Sequence, residues 1–319
     1  MFRTMCIILF VFLSGNLFAQ AKLEDDLINI LKDSVNTNQK KSFIVISEGA
    51  GNGVFSKKNN SLNADQDVLN KIFYTTTADY RNKSGLGLTV NSTFVPENGN
   101  INFYQAGFSP SYYYENKKIY TGISYTHFFA AKNSTIAVNP FKNEISGLFR
   151  WVKSVIRPSV QLVYSHGKSK EIYDTSFTVN NPSPTHIVHV VDNINSKIND
   201  FTVSFSGDHK FNFERLFTKN DEFTFIPAIA LNAGYSSSST ISTANFSSTR
   251  KKKSASTKRS TTASNQQSFA IQSIALSTDF YYGIGKFFVE PELYADYYLP
   301  ATIYKRLATI FSLTAGINF

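Results

Sequence analysis

The sequence predicts an all-β protein: a transmembrane antiparallel β-barrel of about twelve strands, with a short helical segment near its N-terminus. Three observations carry the prediction. The last stretch, Ala308 to Phe319, alternates in period 2 to its final residue. Thr309, Phe311, Leu313, Ala315, Ile317 and Phe319 share one face, and Ala308, Ile310, Ser312, Thr314, Gly316 and Asn318 the other. That is about the length a tilted strand needs to cross a bilayer. The composition is short of charge at 17% and rich in rings at 15%, where a soluble domain usually carries about a quarter charged residues. Finally, the connections between alternating runs are short and long in turn.

The chain opens with a basic Met1-Phe2-Arg3, an apolar core from Met5 to Leu13, and Leu17-Phe18-Ala19 before Gln20. This is the pattern of an export signal over residues 1–19, cleaved after Ala19. The only cysteine, Cys6, lies inside it, so the mature chain is expected to have neither disulfide nor cysteine metal ligand. In residues 20–41, Leu23, Leu27, Ile30 and Leu31 recur at helical spacing, with Glu24, Asp25 and Asp26 in the first turn to suit the helix dipole. This helical extension reads as a periplasmic segment or as a plug in the barrel. Beyond the leader no apolar run reaches the roughly 20 residues of a spanning helix. The mean hydropathy of −0.18 is what alternating strands average to.

The barrel is assigned to residues 42–319. Strands are expected at 42–49, 69–80, 84–95, 102–114, 118–130, 143–152, 157–167, 198–212, 222–235, 267–282, 286–298 and 308–319. Each has an apolar face, such as Leu86, Leu88 and Val90, or Phe287, Val289 and Leu293, opposite a face of Ser, Thr, Gly, Gln or charged residues. The first strand runs into Gly49-Ala50-Gly51-Asn52-Gly53, which reads as a flexible turn; no Lys-Ser/Thr follows to make a phosphate loop of it. Connections 81–83, 115–117, 153–156, 213–221 and 283–285 are short, whereas 50–68, 96–101, 131–142, 168–197, 236–266 and 299–307 are longer. Greek-key sandwiches do not sort their loops this way. Membrane barrels do, with short periplasmic turns and long external loops, and an even count returns both termini to one side.

Taken together, the leader ending in Leu17-Phe18-Ala19-Gln20, Lys83-Ser84-Gly85-Leu86-Gly87 opening one strand, Arg157-Pro158 opening another, and the terminal Ile317-Asn318-Phe319 resemble outer-membrane β-barrel proteins of the Bacteroidota. The resemblance covers most of the mature chain and rests on architectural motifs. It implies a Gram-negative outer-membrane location, contact with outer-membrane lipid, and recognition of the barrel-closing Phe319 by the barrel-assembly machinery. It supplies no catalytic residues and no cofactor.

With Phe287, Val289 and Leu293 facing lipid, Glu290, Glu292 and Asp296 fall on the lumen side, joined by Asp279 from the preceding strand. A turn at Ile284-Gly285 would set Asp279 opposite Glu290. Opposed carboxylates repel, so they call for a cation, a shared proton or water. Arg150 and Lys210 are the basic residues on the same side. The set reads as a cation-favouring constriction or as an ion-paired network that stiffens the wall. The Ser/Thr-rich segment 236–266 carries Arg250, Lys251, Lys252, Lys253, Lys258 and Arg259 and no acidic residue, against a chain total of +9. It reads as a solvated, disordered external loop, with contact to lipopolysaccharide phosphates as the functional alternative. It offers nucleic acid no aromatic platform.

Catalysis is not expected. Ser165 and His166 are adjacent in a strand and so face opposite ways, which prevents a nucleophile–base pair. His127 and His209 fall on the lipid-facing pattern near strand ends, and His186 and His189 are too slight a motif for a metal. Two functions are expected: passive passage of small solutes or ions through a polar lumen, or a non-conducting structural or surface-interaction role exercised through the long external loops.

Overall fold

The computed structural model of the chain describes residues 42–56, 68–97, 99–131, 141–179, 186–250, 253–266, 268–299 and 307–319. The leader and the helical segment 20–41 lie outside them. Every element within them is a strand: β1 (Phe43–Ser56), β2 (Val68–Arg81), β3 (Leu86–Glu97), β4 (Asn100–Glu115), β5 (Ile119–Ala130), β6 (Phe141–Trp151), β7 (Arg157–Val179), β8 (His186–Asp208), β9 (Phe211–Glu214), β10 (Asp221–Arg250), β11 (Lys253–Gln266), β12 (Ala270–Ile284), β13 (Phe287–Tyr298) and β14 (Leu307–Asn318). Neighbours pair antiparallel in chain order, except that β9 and β11 both flank β10. The short β9 prolongs β8 after a break at His209-Lys210, and β11 precedes β12 on the same side of β10. The wall therefore counts twelve positions, as the alternation predicts.

Closure is made by the last strand. β14 pairs with β1 from Val45↔Asn318 to Gly51↔Ser312, and Phe319 N–H donates to the Ile44 carbonyl at 2.9 Å while Ile44 N–H returns the bond at 3.2 Å. A closed ring leaves no sheet edge within the bilayer, the condition a spanning sheet must meet. Interior prolines mark local interruptions of the ladder. Pro227 of β10 lies opposite the β8–β9 break, and the β12–β13 and β4–β5 registers each lapse around Pro291 and Pro110, since proline has no N–H to donate.

The two faces separate as period 2 requires. On β13, Phe287 is 63% exposed and Leu293 53%, whereas Phe288, Glu290 and Tyr294 lie between 1% and 5%. The exposed Leu, Ile, Val and Phe form a belt around the ring. Tyr80, Tyr112, Tyr114 and Trp151 stand exposed toward the end with the short turns, and Tyr74, Tyr125, Tyr164 and Tyr297 toward the other. Such paired aromatic girdles suit the two membrane interfaces. The turns themselves are tight. Gly85, at φ 94°, sits where an added Cβ would come within 2.0 Å of the Tyr113 carbonyl oxygen, so only glycine fits that turn.

The structure corrects the expected connections. Gly49-Ala50-Gly51-Asn52-Gly53 is not a turn but the middle of β1, paired with Thr75 to Lys71 of β2. The segments 168–197 and 236–266 are not loops either. β7 and β8 stay paired from Arg157↔Asp208 to Val179↔His186, β8 and β10 from Ala228↔Asp208 to Ile187↔Thr249, and β10 and β11 from Ser237↔Gln266 to Arg250↔Lys253. β6 leaves β7 at Phe141↔Gly167, and β12 leaves β10 at Gly234↔Ala270. Above those points four strands continue alone as a sheet beyond the rim. From Tyr235 to Arg250 the chain covers roughly 50 Å along the strand, or about 35 Å of height at a 45° tilt.

Candidate functional site: the inward wall, its two ends and the sheet above

Inward positions at mid-height are small and hydroxylic, and they bond across the ladder. Ser109 and Thr126 lie 2.8 Å apart, Ser124 and Ser146 2.6 Å, and Ser159 and Ser206 2.5 Å. Ser204 donates to Asn232 at 2.6 Å, and Asn232 donates to Ser273 at 3.0 Å. One higher row sets Glu144, Ser165 and Asp200 side by side on β6, β7 and β8. Ser165 donates to Glu144 at 2.9 Å, and Thr202 donates to Asp200 at 3.1 Å. A twelve-stranded ring with strands 4.8 Å apart and tilted about 40° measures about 24 Å across its backbone. Opposed hydroxyl side chains are too short to close that span.

At the end with the short turns, large side chains take over. Arg81 lies over the Tyr113 ring at 3.7 Å, and Tyr113 stacks on Tyr120 with centroids 5.7 Å apart. Gly122 faces Tyr113 across the ladder, and a Cβ there would lie 2.3 Å from the ring, so the stack depends on that glycine. Asp79 accepts from Thr89 and sits 3.5 Å from Arg81, with both charged side chains buried. Farther round, Asp208 accepts from Arg157 and lies 3.5 Å from Arg150, and Lys210 reaches Glu222 at 3.9 Å. Tyr281 and Phe288 stack at 5.7 Å beside Val45. This level is a floor of rings and ion pairs.

The carboxylates of β12 and β13 take the following places. Glu290 and Asp296 are buried on the inward face of β13, and Glu292 accepts from Ser312 at 2.8 Å. The partner of Asp279 is corrected: it stands opposite Glu292, not Glu290, because the loop is Gly285-Lys286 with Ile284 paired to Phe287. A turn displaced by one residue moves every partner by two. Arg150 is buried, with Asp208 as its neighbour. Sequence reading passed over Asp79, Arg81, Arg157, Asp208, Glu144 and Asp200; their inward parity was legible, but their grouping depends on registers across several strands.

At the far end the lumen is bridged by apolar side chains. Phe141 and Ile198 form one buried cluster, and Tyr298 packs against it from β13. Phe141 and Ile198 both pair with Gly167 on the strand between them, so their side chains meet over a residue that has none. A register shift between Phe141 and Asn143 turns Phe141 inward. Tyr298 comes from three positions farther round the ring.

The basic residues belong to the sheet above. Arg250 and Lys253 close its tip as a cross-strand pair, Lys258 stands opposite Asn245, and exposed Arg259 stands opposite Ala244. The expected disordered loop is thus corrected to paired strand; Lys251 and Lys252 lie outside the described residues. The histidines are spread over several strands. Ser165 bonds inward to Glu144 while His166 bonds Asn199 at 2.7 Å on the other face. His127 meets Asn143 at 2.8 Å, His209 meets the Val155 carbonyl at 2.5 Å, and His186 and His189 fall in β8 rather than in a long connection.

An antiparallel ring with an apolar outer belt, two girdles and a polar interior is a membrane-spanning β-barrel. No protein-family model and no curated protein matches the sequence. Solved structures to which the chain is similar include a bacterial polysaccharide outer membrane secretin, at 10% identity over 88% of this chain and 99% of that one, TM-score 0.30. The outer membrane channel DcaP of Acinetobacter baumannii is similar at 9% identity over 88% and 98%, TM-score 0.25. Outer-membrane expressed OmpT of Vibrio cholerae is similar at 8% identity over 87% and 98%, TM-score 0.25. At such scores the likeness carries no argument about function.

Proposed function

We propose that this chain is a non-catalytic outer-membrane barrel that acts at the cell surface through the sheet its strands β7, β8, β10 and β11 raise above the rim. The observation that carries the reading is that sheet. Spanning a bilayer takes strands of about 9–11 residues, yet β10 runs 30 residues and β7 and β8 run 23 each. Pairing maintained that far from the membrane makes a stiff platform, which is of use for presenting a surface and of none for crossing lipid. The apolar belt, the girdles and the terminal Phe319 support an outer-membrane location with the short turns toward the periplasm. A leader cleaved after Ala19 and a source among the Bacteroidota belong to the same reading.

A second reading, passive passage of ions or small solutes, is favoured by the charged inward set Asp279, Glu290, Glu292 and Asp296. Against it stand the floor of rings and ion pairs and the Phe141–Ile198–Tyr298 bridge. Planar-bilayer recording of folded protein separates the two. Silence supports the surface role. Discrete steps, with a reversal potential that moves in Glu290→Gln/Glu292→Gln, would replace it with a cation-favouring channel.

A further inference from the structure

We infer that the upper sheet binds an acidic polysaccharide along β11 and the tip of β10, a proposal that rests on the surface-interaction reading above. Between Glu222 and Asp279 the chain has no carboxylate and six cations. Within the described part of that stretch the register gathers Arg250, Lys253, Lys258 and Arg259 on two adjacent strands. Arg250 and Lys253 are register partners at the tip. Strand parity puts Lys253 and Arg259 on one face, roughly 20 Å apart, and Lys258 on the other. The charges are therefore strung along the strand rather than gathered into a pocket, which fits a polymer with repeated anionic groups.

The remaining chemistry narrows the class of polymer. β11 reads Lys-Ser-Ala-Ser-Thr-Lys-Arg-Ser-Thr-Thr-Ala-Ser-Asn-Gln, without an aromatic or large aliphatic residue. Protein interfaces need such anchors, and single-stranded nucleic acid needs rings to stack on. Hydroxyl and amide side chains match the hydroxyls of a sugar chain. The outer edge of β11 has no strand partner among the described residues. Phosphates of the protein's own membrane lie at the rim, about 35 Å below the tip and several times the roughly 8 Å over which charges act in physiological salt. An anionic chain standing out from the surface is within reach.

The test uses the full folded protein in detergent, immobilised, with alginate as the carboxylate polysaccharide. Neutral dextran, phosphatidylglycerol vesicles and oligothymidine serve as competing probes. Alginate should be retained, with retention falling at least tenfold from about 50 to 300 mM salt. The combined variant Arg250→Ser/Lys253→Ser/Lys258→Ser/Arg259→Ser should lose at least tenfold while keeping the heat-shifted gel migration of the folded barrel. Equal retention of dextran, unchanged retention by the variant, or preference for the vesicles or the oligonucleotide would overturn the assignment. If alginate is not retained and the protein is silent in bilayers, the polysaccharide falls and the surface reading stands. Discrete conductance by wild type and variant alike removes the surface reading itself.

Discussion

Asp208→Asn tests whether the floor of the barrel is held by charge. Asp208 ends β8, 6% exposed, between Arg157 and Arg150, which are 4% and 5% exposed. Arg157 donates to one of its oxygens through two nitrogens, and the Arg150 Nε lies 3.5 Å from the other. The amide keeps the shape and removes the Asp208 charge from between two guanidiniums. Stripping one partner from a buried pair costs about 3–5 kcal/mol. The asparagine oxygen still accepts a bond, so the low end, about 3 kcal/mol, is expected. Urea unfolding in detergent reads the loss through Trp151, the sole tryptophan and the residue next to Arg150. Adding Arg157→Gln removes one stranded cation and should restore about 1–2 kcal/mol of coupling. A loss under about 1 kcal/mol, less than one net hydrogen bond, would refute the reasoning, as would a double variant no better than the single.

Gly122→Ala places a Cβ 2.3 Å from Tyr113 and should cost about 1–3 kcal/mol as the Tyr113–Tyr120 stack is displaced. Gly147→Ala, whose Cβ meets nothing nearer than 4.0 Å, is the control and should leave the urea midpoint in place. Deleting Phe319 removes both terminal backbone bonds to Ile44, about 1 kcal/mol each. Protein refolded in detergent should lose little, while the yield of heat-shifted barrel in cells should fall severalfold. Tyr298→Ala opens the apolar bridge at the far end: a cysteine at Ser146, inward on β6, should react with a small thiol reagent added from outside at least tenfold faster than in the otherwise wild-type protein.

Twelve wall positions were legible because a bilayer makes each strand choose sides. Phe287, Val289 and Leu293 face oil while Glu290 and Glu292 face the lumen, and that contrast writes period 2 into the chain. Lumenal charge was legible for the same reason, one strand at a time. Its pairing was not, because Arg150, Arg157 and Asp208 meet only when three neighbouring registers are known. The sheet above the rim left no such trace. Residues 236–266 carry Ser and Thr on both parities, with Ile241 and Phe246 as their large apolar side chains, since above the membrane both faces meet water and nothing selects one from the other. A strand with two polar faces looks like a loop to any rule built on hydrophobic alternation. What holds β10 and β11 straight is the backbone ladder from Ser237↔Gln266 to Arg250↔Lys253, and backbone bonds are common to every sequence. The rule that finds the belt is therefore blind to the sheet standing on it, and that sheet is where the proposed function lies.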